Sequence, residues 1–187
     1  MKFFGITILL LLFTMAAFGQ GEVKAVESLD IDRYQGKWYE IARYPNRFQK
    51  KCVSDVTADY RLLKNGQIEV TNKCLKKNGK INRAVGRAKV VDRNSNAKLK
   101  VRFAPRWLSF LPQVWGKYWV LDIDENYNVA AVGDPSRDYL WILSRTPNPK
   151  PADYDQAVQR VKSMGFDPRR LEKPSHKSPA VDAGATN

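Results

Sequence analysis

Residues 36–74 read GKWYEIARYPNRFQKKCVSDVTADYRLLKNGQIEVTNKC. Runs rich in Val, Ile, Tyr, Trp and Thr alternate there with Gly, Pro and Asn, and Asn65-Gly66 is the pair that best favours a tight hairpin. The stretch predicts three strands, near 37–44, 53–63 and 67–74. The same punctuation runs on to residue 147 and adds strands near 81–91, 97–104, 114–123, 127–133 and 138–145, with polar turns at Asp92–Asn96 and Asp124–Asn126. No crossover helix separates these strands, so the sheet is expected to be antiparallel, up and down. Eight meandering strands in about 130 residues predict an all-β barrel with a bore wide enough for one small ligand, and closure removes the sheet edges.

Pro147, Pro149 and Pro151 end the strand pattern. Ala157, Val158, Val161 and Met164 then recur at helical spacing and Gly165 stops the run, which predicts one amphipathic helix against the outer wall. Residues 172–187 carry too little apolar matter to pack and are read as a flexible tail. At the other end, Lys2 precedes the apolar run Phe3–Phe18, followed by small residues at Ala17 and Gly19. That is the pattern of a secretory leader over residues 1–19, cut near Gly19–Gln20. The run is short for a spanning helix, which needs roughly 20 residues, and an uncleaved anchor is the alternative. The folded domain is then residues 20–171, exported to a periplasm or the exterior. The first cysteine is Cys52, far from the cut, so no acyl anchor is expected.

With 43% hydrophobic residues the chain can bury a core, and its formal charge is +13. Removing Lys2 with the leader leaves 31 basic residues against 19 acidic ones. That charge invites nucleic acid, but the basic residues are dispersed and the chain is exported, so nucleic acid is not the expected partner. His176 is the single histidine and stands in the tail, there is no Gly-rich phosphate loop, and no carboxylate pair has acid–base spacing. Neither an enzyme, a cofactor nor a metal is expected. Hairpin register around Asn65-Gly66 sets Cys74 opposite Val56, about four residues or roughly 13 Å from Cys52. A loop folding back before Val56 would let Cys52 and Cys74 bond in an oxidising compartment, worth roughly 3 kcal/mol.

Gly36-Lys37-Trp38-Tyr39-Glu40-Ile41-Ala42-Arg43, preceded by Asp32-x-Tyr34, resembles the opening motif of the lipocalins. Residues 133–145, GDPSRDYLWILSR, are similar to the closing segment of the lipocalin branch that holds bacterial lipocalins, plant temperature-induced lipocalins and apolipoprotein D. Arg47-Phe48, Thr57-Ala58-x-Tyr60 and Lys98-Leu99-Lys100-Val101 extend the likeness over roughly residues 30–165. The resemblance implies a closed base plugged by Gly36, Trp38 and Arg145. An arginine over a sheltered indole gains roughly 1–2 kcal/mol. It also implies that Asn72, Tyr118 and Trp141 contact a ligand.

Parity counted from the plug turns Leu143, Trp141 and Tyr139 inward with Arg145, and Glu40 and Ala42 inward with Trp38. Ile68, Val70 and Asn72 share a face opposite Ala58 and Tyr60. A carboxylate at Glu40 would need a donor partner or a raised pKa, and a bulge could turn it away, so it receives no role. Such a bore suits a fatty acid, lysophospholipid or other amphiphile, each buried methylene worth roughly 0.8 kcal/mol, for lipid transport, storage or membrane maintenance. The alternative is a barrel filled by its own side chains, whose basic surface meets anionic membrane or nucleic acid.

The open-end loops at 45–52, 75–80, 104–113 and 134–137 carry Arg47, Lys50, Lys51, Lys76, Lys77, Lys80, Arg106 and Arg137 against Asp134. A basic mouth favours anionic amphiphiles. Within the loop Arg106-Trp107-Leu108-Ser109-Phe110-Leu111, Trp107 and Phe110 form a lid, a lip touching membrane, or rings tucked back into the mouth.

Overall fold

The computed structural model describes residues 21–177, so residues 1–20, which hold the expected leader, and residues 178–187 lie outside it. Eight antiparallel strands close on themselves in chain order: β1 (Gly36–Arg43), β2 (Cys52–Leu62), β3 (Ile68–Lys76), β4 (Ile81–Val90), β5 (Lys98–Arg102), β6 (Gly116–Ile123), β7 (Val129–Gly133) and β8 (Leu140–Ser144). β8 pairs back onto β1, which makes the expected up-and-down barrel. The apolar residues sort into two cores because strand side chains alternate between faces. Trp38, Tyr60, Val70, Leu99, Val120 and Leu143 belong to the core inside the barrel. Ile41, Leu121, Val129, Ala131, Leu140 and Ile142 form the outer one.

The helix α2 (Pro151–Ser163) covers that outer face, seating Ala157 and Val161 on β6, β7 and β8. Gly165 takes φ +84° just past it. The Phe166 amide donates to the Val161 carbonyl (3.1 Å) and the Gly165 amide to that of Lys162 (2.9 Å). This αL stop satisfies the last carbonyls and folds Phe166 under the helix. Gly133 is required by close approach: a Cβ there would meet Leu121 and the Tyr139 carbonyl at 2.9 Å.

One element escaped the sequence pattern, the single helical turn α1 (Ile31–Tyr34). Asp30 caps it by accepting from the Asp32 and Arg33 amides, and this Asp-Ile-Asp pattern was the local signal for it. The turn closes the base and sends Tyr34 into the barrel core.

Three expectations change. Between Glu40 and Ala42 the register of β1 against β8 slips by one residue, so Glu40 faces Leu143 while Arg43 faces Trp141. Ala42, expected inward, therefore packs in the outer core, and Arg43 takes its place toward the bore. Cys52 and Cys74 are bonded, with Cα atoms 5.5 Å apart, but no loop folds back to bring them together. Two register shifts in β2, around Ser54, absorb the offset and set Cys52 opposite Lys76, with Asp55 at φ +54°. Finally, the chain from Glu172 to Lys177, read as tail, lies against β1 and β2.

Candidate binding site

The base is built around Trp38, which is fully buried and donates from Nε1 to the Tyr34 carbonyl (2.9 Å). The Arg145 guanidinium lies 3.9 Å from the Trp38 ring centroid. It also donates to the carbonyls of Arg33 (2.6 Å), Lys37 (3.0 Å) and Tyr127 (3.2 Å), joining α1, β1 and the β6–β7 turn. Gly36 takes φ +86° beside Arg145, a conformation that L side chains rarely adopt. Gly36, Trp38 and Arg145 thus meet at one end of the barrel.

Above it stand three tyrosines. The Tyr118 hydroxyl bonds to those of Tyr34 (2.8 Å) and Tyr60 (2.7 Å). Burial pushes all three phenols up, Tyr60 to about 12, because a phenolate there would have no water around it. Tyr34, Tyr60, Val70, Ala88, Leu99 and Tyr118 surround a cavity of about 10 Å³, room for one water. The lower half of the bore is therefore packed. Val70 lines this closed half, and Ala58 packs in the same core at the level of Asn72.

The upper half differs. Asn72, Ala84 and Trp141 belong to the inward face of the strands and remain only partly buried. Asn72 pairs with Ala58 and Ala84, and its Oδ1 is buried with no hydrogen-bond donor among the described residues. Trp141 stacks on Tyr139 with centroids 5.8 Å apart and planes 5° from parallel, and Tyr139 in turn meets Phe48 at 5.7 Å. These rings form an aromatic ladder from the bore to the rim.

A polar cluster lies beside that ladder, on β1, β8 and the loop that follows β1. Arg43 pairs with Glu40 at 2.7 Å, both side chains nearly buried. Gln49 donates to the other Glu40 oxygen and accepts from Trp141 Nε1 (3.1 Å) and Asn46 Nδ2 (2.7 Å). Burial raises the Glu40 carboxyl above its ordinary 4.5, with Gln49 and Arg43 pulling it back down. Sequence parity brought Glu40 inward without its partners, because the slip that delivers Arg43 has no local marker.

At the rim, Trp107 and Phe110 are 72% and 75% exposed, which removes the tucked-back arrangement. Phe48 and Ile81 stand beside them in exposure at 63% and 62%. Arg47, Lys50, Lys51, Lys76, Lys77, Lys80 and Arg106 lie on the loops of this end, and among the described residues none has a carboxylate partner within 4.0 Å. Arg137 does not join them: it donates to the carbonyls of Gly21 (2.5 Å) and Met164 (2.7 Å), tying the start of the domain to the end of α2. His176 also leaves its expected place in a free tail, pairing through Nε2 with the Glu40 carbonyl at 2.8 Å and meeting Tyr39 edge-on. Among the described residues no helix is long and apolar enough to cross a membrane.

Residues 29–176 match the family model of the lipocalin-like domain. Temperature-induced lipocalin-1 of Arabidopsis thaliana is 44% identical over 163 residues, covering 86% of this chain and 84% of the relative. The outer membrane lipoprotein Blc of Vibrio cholerae is 38% identical over 151 residues (80% and 84%), and apolipoprotein D of Mus musculus 35% over 154 (78% and 76%). Among solved structures, insecticyanin from the tobacco hornworm Manduca sexta superimposes with a TM-score of 0.64 at 19% identity, covering 82% of this chain and 84% of its own, a likeness of fold.

Proposed function

Because the chain belongs to the lipocalin family, we propose that it is a non-enzymatic carrier outside the cytoplasm, taking a fatty acid, lysophospholipid or similar amphiphile into the upper bore. The observation that carries this reading is Asn72: a buried carbonyl oxygen without a donor, on an apolar and aromatic wall, is a polar handle for a guest. The tyrosine triad forms the floor, so an acyl chain reaches as far as Tyr118 unless those rings turn. The polar groups present favour holding a guest over transforming it, since Glu40 is engaged by Arg43 and Gln49. The bond between Cys52 and Cys74 supports a carrier without an acyl anchor, although the relative from Vibrio cholerae is named a lipoprotein.

Native mass spectrometry of protein purified without added lipid is expected to show a co-purifying amphiphile. Titration with oleate is expected to quench tryptophan fluorescence saturably, and Trp141→Ala to weaken binding by about tenfold, or 1.4 kcal/mol. Quenching that never saturates would remove the carrier reading.

The rim adds a means of reaching the guest. Exposed Trp107, Phe110, Phe48 and Ile81 among unpaired cations suit the surface of an anionic bilayer, where each basic residue contributes about 1 kcal/mol. Vesicles of phosphatidylglycerol should sediment the protein and vesicles of phosphatidylcholine should not. Trp107→Asp with Phe110→Asp should weaken the partition constant at least tenfold (about 1.4 kcal/mol), and equal binding by this variant would sink the membrane lip.

A further inference from the structure

The β1–β2 ladder runs only from Gly36–Tyr60 to Tyr39–Thr57. Beyond it the remaining β1 residues ladder with β8, and the first residues of β2 with β3, so the two strands part on the open half of the barrel. What stands between them is the segment Glu172–Lys177. It bridges Arg43 in antiparallel sense and Ser54 in parallel sense. The Arg43 amide donates to the Glu172 carbonyl (2.9 Å), the Glu172 amide to the Arg43 carbonyl (2.8 Å), and the Asp55 amide to the Ser175 carbonyl (2.9 Å). The Lys177 amide donates to Asp55 Oδ1 (2.8 Å), and the His176 ring occupies the Glu40 carbonyl. Backbone groups that a continuous β1–β2 ladder would satisfy are satisfied by this strap instead.

Its side chains add two contacts, Lys173 over the Tyr154 ring at 4.3 Å and His176 edge-on to Tyr39 at 5.6 Å. Glu172, Lys173, Ser175 and Lys177 are exposed, and Pro174 and His176 are half-buried. A segment with few apolar contacts opens locally at small free energy, whereas unzipping a strand from a closed barrel does not. Immediately inside the seam lie Glu40 and Arg43, with Gln49 and Trp141 behind them. A gap there would lead straight into the upper bore past polar groups able to receive a headgroup. Gln49 ties Glu40 to Trp141 beside the seam.

We propose that residues 172–177 are a removable stave in the barrel wall, and that amphiphiles exchange through the side seam it closes. The proposal rests on the carrier reading and adds the route. A gate changes the barrier and leaves the end states alone, so its release accelerates binding and dissociation together.

The experiment is stopped-flow mixing with cis-parinaric acid, comparing the full chain, a chain ending at Leu171, and the variant Glu172→Pro with His176→Ala. The proline removes the amide that bonds Arg43, and the double variant stands in should the shortened chain fail to fold. Amide exchange at Arg43 and Asp55 reports whether the strap is released. Association and dissociation rates are both expected to rise at least fivefold with Kd unchanged within twofold. An unchanged association rate with released amides overturns the gate, as does a faster dissociation matched by weaker Kd, which would make the strap plain wall. A full chain that binds no probe removes the carrier reading and the gate with it, an outcome distinct from normal binding at unaltered rates.

Discussion

Trp38→Ala is expected to lower stability by about 3–5 kcal/mol, the range for removing a large aromatic from a packed interior. Trp38 has no exposed surface and holds the Tyr34 carbonyl, so its loss opens a cavity and frees α1. Its ring also packs on Tyr34, 5.1 Å between centroids, and Tyr34 is hydrogen-bonded to Tyr118 in the triad. Arg145 would lose its π face while keeping three carbonyls. Against a total stability of about 5–15 kcal/mol, the substitution takes a large share. Arg145→Lys should cost less, about 1–2 kcal/mol, because charge remains while the fork that reaches three carbonyls does not. Urea midpoints measure both. A shift below about 1 kcal/mol for Trp38→Ala would show that the base is not part of the cooperative core.

Arg43→Met is expected to destabilise the protein in a pH-dependent way. Glu40 is already raised above its ordinary 4.5 by burial, and Arg43 is one of the groups restraining it. Without Arg43 the folded-state pKa rises further. The native state then keeps a proton that the unfolded chain has released, so stability falls as pH climbs from the ordinary carboxylate value through the raised one. Below that window the carboxyl is protonated in both states and this penalty vanishes. At pH 8 the loss should approach about 3 kcal/mol, the lower end for stripping one partner from a buried ion pair. It should shrink toward pH 4. Adding Glu40→Gln should recover most of the loss at pH 8, since a neutral amide needs no counter-charge. Urea midpoints from pH 4 to 8 decide it: a difference flat with pH would mean that Glu40 is not the group responsible.

Much of the barrel was legible because its signals are local. Alternation at Ile68-Glu69-Val70 and the Asn65-Gly66 turn specify strands wherever they occur, and Gly165 stops a helix whatever it packs on. Gly36, Trp38 and Arg145 were named by the resemblance, and a meander of even strand number returns the last strand beside the first. The Cys52–Cys74 bond was legible as an outcome but not as a path, since the shifts around Ser54 depend on how β2 meets β3.

The chain's own pattern, then, determined eight strands and one outer helix, since each depends on alternation or turn chemistry, and the resemblance named the residues of the base. The tertiary structure alone decided which way Ala42 and Arg43 face, what pairs with Glu40, how far the tyrosines fill the bore, and where residues 172–177 lie. A bulge reverses parity without a marker of its own, and a burial or a bridge between residues more than a hundred positions apart exists only once the cylinder has closed.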